Sequence, residues 1–201
     1  MIISEHAQGT DEWMAERVGI PSASNFGKIF TTAGKPSTTA KTYMNTLVAE
    51  WMLGEKEEIK QNDWMARGIE LEAEARQAYE FVNEADVLEV GFCFKDENKL
   101  VGCSPDGLVN HDGLLEIKCC KASTHTGYLL DGKLPATYYQ QVHGQLWVTG
   151  REYCDFVSYH PGLPNFEIRV EREQAVMDMI SGRLGKFITE MLTRRELIKS
   201  L

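Results

Sequence analysis

The chain has 201 residues, enough for one domain to bury a core without disulfide or metal staples. Hydrophobic residues make up 43% and charged residues 25%, which excludes a disordered chain. With 21 Lys and Arg against 30 Asp and Glu, the net charge of −9 excludes a passive nucleic-acid coat that is basic all round, but leaves room for a local basic channel and supplies carboxylates for cations.

No run of eighteen apolar residues occurs, so no transmembrane helix and no membrane partner are expected. Met1 to His6 carries neither a basic stretch nor a long apolar one, so no signal peptide is expected. The five cysteines, Cys93, Cys103, Cys119, Cys120 and Cys154, are odd in number and form no Cys-x-x-Cys. They read as buried, reduced thiols of a cytoplasmic protein.

In chain order, Thr10 to Val18 reads as a short helix, and Pro21-Ser22 opens another with Ser22 as its N-cap. Thr31 to Thr39 is a polar loop. Thr39 caps a helix to about Leu53, with Tyr43, Leu47, Val48, Trp51 and Met52 on its apolar stripe and Gly54 ending it. Asn62 caps a further helix to about Val82, amphipathic through Met65, Ile69, Ala73 and Tyr79. The period then changes. Val87 to Phe94, Leu100 to Cys103, Asp106 to Val109 and Leu114 to Cys119 read as strands, with Asp112-Gly113 a hairpin turn. A helix from Pro135 to about Val148, strands at Glu152 to Tyr159 and Phe166 to Val170, and a helix from Arg172 to about Leu197 complete the chain. The expected fold is a single α/β (α+β) domain over 1–201, a central mixed β-sheet flanked by helices.

The informative segment is Gly102 to Lys118, GCSPDGLVNHDGLLEIK. Folded as a hairpin about His111, it sets Asp106 roughly opposite Glu116, because 106 + 116 = 222 = 2 × 111. The two-residue period of a strand puts Glu116 and Lys118 on one face and Ile117 on the other, toward the core. Two opposed acids repel. A divalent cation between them removes that penalty, and Mg²⁺ favours one or two carboxylates plus substrate phosphate. A lysine beside it can hold or deprotonate a water. Acid-x-Lys alone is common and also fits an ordinary surface salt bridge. The preceding Pro-Asp-Gly turn makes the pattern specific.

Four ordered blocks carry a resemblance: Gln8-Gly9-Thr10-Asp11-Glu12-Trp13 with Arg17 to Ser24; Arg67-Gly68-Ile69-Glu70-Leu71-Glu72; Cys103 to Leu108 with Leu115 to Cys119; and Tyr138 to Trp147. Together they resemble the PD-(D/E)xK nuclease superfamily, and within it the phage lambda exonuclease and YqaJ-type viral recombinase family, over nearly the whole chain. The resemblance implies the restriction-endonuclease-like core of that superfamily. It also implies a Mg²⁺-dependent exonuclease, with Mn²⁺ a substitute and two ions bound, that degrades the 5′-phosphorylated strand of linear duplex DNA from its 5′ end to nucleotides. The 3′ single strand is left for annealing-type recombination.

By position, the resemblance makes Asp106, Glu116 and the Ile117 carbonyl metal ligands, with Glu72 completing the acidic cluster and Lys118 orienting or activating the attacking water. Arg17 and Ser24 would clamp the terminal 5′-phosphate. The basic DNA-contacting loop of the lambda enzyme has no clean equivalent, leaving Lys35 as a backbone contact. Gapless matching puts His143 where the family has an active-site glutamine. His143 and Gln141 lie about 200° apart on a helix, so only one is expected to face the site, and His143 is favoured. The implied partners are double-stranded DNA ends, two further copies in a homotrimeric ring, and a single-strand annealing recombinase, in the cytoplasm of a bacterial host of a phage or prophage. Two alternatives stand beside this. Another PD-(D/E)xK nuclease would be an endonuclease or end-processing enzyme; an iron–sulfur version needs late cysteines, and none follows Cys154. A non-catalytic DNA-end-binding recombination protein would have a degenerate site, whereas Glu72, Asp106, Glu116 and Lys118 are all present.

Overall fold

Asp112-Gly113 closes the hairpin at the centre of the molecule, joining β5 (Gly107–Val109) to β6 (Gly113–Lys118). These strands belong to a five-stranded sheet in the order β2 (Val87–Leu88), β5, β6, β7 (Tyr153–Ser158), β8 (Phe166–Glu171). Only β6 and β7 run parallel, so the chain between them must cross over, and it does so through helices. A second, three-stranded sheet has the order β1 (Ile2–Ile3), β3 (Cys93–Phe94), β4 (Gly102–Cys103). The structure, a computed structural model, describes residues 1–56 and 63–201, the side chains of 63–66 and 69 excepted.

The helices are α1 (Asp11–Glu16), a 3₁₀ segment Ala23–Lys28, α2 (Ala40–Leu53), α3 (Asp63–Asn83), α4 (Ala122–Asp131), α5 (Tyr139–Thr149) and α6 (Gln174–Lys199). Thr10 caps α1 by accepting from Trp13 N at 3.2 Å. Gly54 and Gly150 end α2 and α5 in the left-handed conformation that glycine adopts without strain. The large sheet divides two apolar layers. On one side β6 and β7 contribute Leu114, Cys154 and Phe156 to a core shared with α2, α5, α6 and the 3₁₀ segment. On the other, Leu115, Ile117 and Val157 meet Ala75 and Tyr79 of α3. Helix α5 presses onto the 3₁₀ segment at Gly144, where a Cβ would fall 2.6 Å from the Phe26 ring.

Several expectations are corrected. Val87 to Phe94 is two strands in two sheets, because the chain turns at Gly91, where a Cβ would sit 2.0 Å from the His6 carbonyl oxygen. Ser22 precedes a 3₁₀ segment rather than an α-helix and makes no side-chain cap. Helix α4 and strand β1 have no counterpart in the reading of the sequence. Met52 and Ala73 are exposed; Met44 of α2, and Ala75 with Arg76 of α3, are buried instead. The proposed cap Asn62 and the side chains of Met65 and Ile69 lie outside the described residues.

Candidate active site

The hairpin register is the one expected from symmetry about His111: Gly107 opposes Leu115, Leu108 opposes Leu114 and Val109 opposes Gly113. Asp106 continues this ladder, its N–H donating to the Leu115 carbonyl at 3.0 Å. Its Oδ2 accepts the Ile117 N–H at 2.6 Å. Burial, and then the nearby Glu116, hold the Asp106 carboxyl well above the usual carboxylate range. Glu116 is 0% exposed. A buried carboxylate is costly unless every oxygen is matched. Here Oε1 meets the Lys118 ammonium and the Gln141 amide, and Oε2 accepts from Gln145 Nε2 at 2.6 Å. Burial alone would lower the Lys118 pKa, but the charges of Glu116 and Asp106 outweigh it and hold the ammonium protonated far above neutral pH.

Glu72 reaches the same patch from α3. Its pKa is raised by desolvation despite Arg76 and Lys118, with Glu116 adding to the rise. Arg76, one turn on and nearly buried, bonds Glu72 at 2.9 Å and Glu89 at 2.8 Å, while its Nε donates to the Asp106 carbonyl at 3.3 Å. The structure therefore brings Glu72, Asp106, Glu116, Ile117, Lys118 and Gln141 together. It does not bring His143. That ring is buried against Tyr139, centroids 4.2 Å apart, with Nδ1 unpartnered among the described residues and its pKa lowered by burial. In the structure it is Gln141, and not His143, that meets Glu116. Residues 141 and 145 are about 40° apart on a helix and both look at Glu116, whereas 143 looks away. Gln145 and Arg76 were missed, although their i, i+4 spacing from Gln141 and Glu72 was visible in the sequence.

Arg17 lies at the end of α1, its guanidinium 3.7 Å from the Trp13 ring centroid and its Nε without a partner among the described residues. Burial lowers its pKa. Ser22 pairs with Gly102 of β4, which sets the 3₁₀ segment carrying Ser24 beside that strand; after the strand, the buried hydroxyl of Ser104 also lacks a partner among the described residues. Ser24 is exposed and lies 3.1 Å, oxygen to oxygen, from Ser22. Asn25, Lys28, Thr39, Tyr43 and Lys56 line an adjoining cavity. Lys56 is pushed down by burial and then by Arg17, with Lys28 adding to the effect, so three cations share this corner. The acid beside them, Glu50, accepts the Gly19 N–H at 3.0 Å. Unpartnered donors among crowded cations form an environment suited to an anion. Lys35 is exposed on its loop.

Among the described residues no three His, Cys, Asp or Glu side chains form a ready-made chelate. An open pair of carboxylates, Asp106 and Glu116, with Glu72 at the side, is an all-oxygen donor set. It fits a hard cation that keeps waters and borrows ligands from a phosphate, and it does not fit a closed zinc centre.

A family model described as a YqaJ-like viral recombinase domain matches residues 12–152. The alkaline exonuclease LHK-Exo from Laribacter hongkongensis is 35% identical, with a TM-score of 0.86 over 95% of this chain and 97% of that one. The same figures hold for LHK-Exo in complex with dAMP. A phage-related exonuclease from Haemophilus somnus 129PT shares the fold at a TM-score of 0.69 and 18% identity, over 90% of this chain and 96% of that one. None of the curated proteins matches the sequence significantly.

Proposed function

The chain belongs to the YqaJ-like viral recombinase family and is a recombination-related exonuclease; from that premise we propose that it hydrolyses linear duplex DNA from the 5′ end with Mg²⁺, releasing 5′-mononucleotides and leaving a 3′ single strand. The observation that carries this is Glu116, fully buried yet clamped by Lys118, Gln141 and Gln145 beside Asp106. The dAMP held by the Laribacter relative is the class of product such a reaction releases.

Asp106, Glu116 and the Ile117 carbonyl would hold the first cation, and Glu72 would share a second. When bound, the metal lowers the pKa of a water and offsets charge on the phosphate, and Mn²⁺ can stand in for Mg²⁺. Gln141 and Gln145 fix the Glu116 carboxylate. Lys118, set beside Glu116, orients or activates the attacking water and faces the scissile phosphate. Water adds to phosphorus, the P–O3′ bond breaks, the leaving oxygen takes a proton, and the shortened strand keeps a new 5′-phosphate. Arg17 and Ser24 would clamp the terminal 5′-phosphate, and Ser104, on the strand beside the 3₁₀ segment, would add a hydroxyl. The unpartnered Arg17 Nε and Ser104 hydroxyl are what a phosphate would satisfy.

The enzyme acts as a homotrimeric ring in the host cytoplasm and passes the 3′ strand to an annealing recombinase. Enclosure of the DNA would then replace affinity that a −9 surface lacks. Digestion of linear duplex should require Mg²⁺ and stop with EDTA, and Asp106→Asn should lower the rate by at least ~10³-fold with the fold intact. Full activity of Asp106→Asn would refute the site. Arg17→Ala should slow 5′-phosphorylated ends and spare 5′-hydroxyl ends, so that the preference collapses. Equal slowing of both would make Arg17 a general backbone contact.

A further inference from the structure

A second basic feature lies across the Ser37–Thr39 segment from Lys28. The two sides are joined there, because the Thr39 hydroxyl bonds the Lys28 carbonyl at 3.1 Å and pairs with Ser37 at 2.9 Å. Beyond that segment a groove opens between the start of α2 and the middle of α6, walled by Ile29, Met44 and Phe187 and rimmed by Lys41, Arg183 and Lys186. None of these three cations makes an ion pair among the described residues. The groove's acid, Glu190, is already bound to Arg194 at 2.6 Å, and Arg194 also donates to Asn45 at 2.9 Å. In a chain of net charge −9, three uncompensated cations on one groove are a local reversal of sign.

We propose that this groove binds the sugar–phosphate backbone of the strand that is not cut. The proposal rests on the exonuclease reading above. The cut strand ends at its 5′-phosphate in the Arg17 corner, so backbone lying beyond that corner belongs to the strand that continues past it. Lys41 and Lys186 are exposed, and an ammonium attracts phosphate as a point charge without a geometric lock, which suits a backbone that must slide. Ser37 and Thr38 on the groove wall add neutral hydrogen-bonding groups. The groove residues make no hydrogen bond with Glu72, Asp106, Glu116 or Lys118 among the described residues, so binding there is separable from chemistry.

The test compares wild type with the triple variant Lys41→Gln, Arg183→Gln, Lys186→Gln. Binding is measured in EDTA, which prevents cleavage, on fluorescent duplex that is either blunt or carries a 3′ single-strand extension past the 5′-phosphate. Wild type should bind the extended end more tightly, and the variant should lose that advantage. Three single-strand phosphate contacts correspond to a salt slope of about 2, so wild type should lose ~15-fold more affinity than the variant between 50 and 200 mM salt. The variant should keep the wild-type urea unfolding midpoint, which establishes that it is folded, and its digestion of blunt 5′-phosphorylated duplex should slow once a 3′ extension has formed. An extension that confers no advantage on wild type, or a variant that keeps both the advantage and the slope, overturns the proposal. Failure of wild type to cleave any duplex would instead overturn the exonuclease reading, and the binding comparison would still decide the groove.

Discussion

Each oxygen of Glu116 is held by a different donor, and that determines how the α5 side chains should respond to substitution. Removing Gln145 leaves a buried charged oxygen without its amide, a loss of about 1.5–3 kcal/mol for a bond to a charged group. If that loss falls on the transition state, Gln145→Ala should slow cleavage by about ten- to a hundredfold. His143→Leu, two residues away, should keep the rate within about twofold. The same pair gives a pH signature. The folded pKa of His143 is lowered below 6.5, so its contribution to stability is complete above about pH 6.5 and is lost as pH falls through the folded value. His143→Leu should therefore flatten the fall in stability below pH 6.5 in urea titrations. A large loss of activity with unchanged acid stability would return His143 to the site. Glu116, Asp106 and Lys118 were legible in the sequence because strand alternation and hairpin symmetry are rigid constraints. The choice between Gln141 and His143 was not, because sequence gives the angle between two helical positions but not which of them faces the sheet.

Helix α3 must be pinned to the sheet if Glu72 is to stay beside Asp106, and it is pinned by a polar contact beneath an apolar layer. Tyr79 of α3 donates to the buried Asp155 of β7 at 2.6 Å, and Arg169 of β8 grips the same carboxylate at 2.8 and 2.7 Å. The hydrogen bond to Asp155, after burial, pushes the Tyr79 pKa up, so the phenol stays a donor. Tyr79→Phe should keep the ring packing and lose one bond to a charged acceptor, lowering stability by about 1.5–3 kcal/mol in urea unfolding. Asp155 keeps its arginine, so the variant should still fold and cleave. An unchanged urea midpoint would mean that the apolar layer alone holds α3. The elements themselves were legible where periodicity ran long, as in α2, α5 and α6. They were not legible where tertiary contact overrides local pattern. Val87 to Phe94 alternates and reads as one strand, but the close approach of the His6 carbonyl to Gly91 divides it between two sheets. In α4, Thr124 and Thr126 are exposed and His125 is buried between Ser158 and the Pro164 carbonyl, so no apolar stripe announced the helix.

For the whole molecule, the net charge and the fold point in different directions, and their reconciliation is where the function lies. The chain is acidic overall, yet Arg17, Lys28 and Lys56 gather at one corner, while Asp106, Glu116 and Glu72 gather as an acid cluster. Under the proposed function, the first would grip the terminal phosphate and the second would hydrolyse its neighbour. A ring of three chains would keep that geometry on the DNA between turnovers, and light scattering should then give a solution mass near three times 22.7 kDa; a monomer that nevertheless digests long duplex without dissociating would refute the ring. The central claim, attack from the 5′ end by this site, is tested most directly by end-labelled linear duplex with a 5′-phosphate, digested in Mg²⁺ by excess enzyme. A label at the 5′ terminus should appear at once as mononucleotide, and a label at the 3′ terminus should stay in long single strand. Immediate release of the 3′ label, or a first product longer than one nucleotide from the 5′ end, would contradict the account.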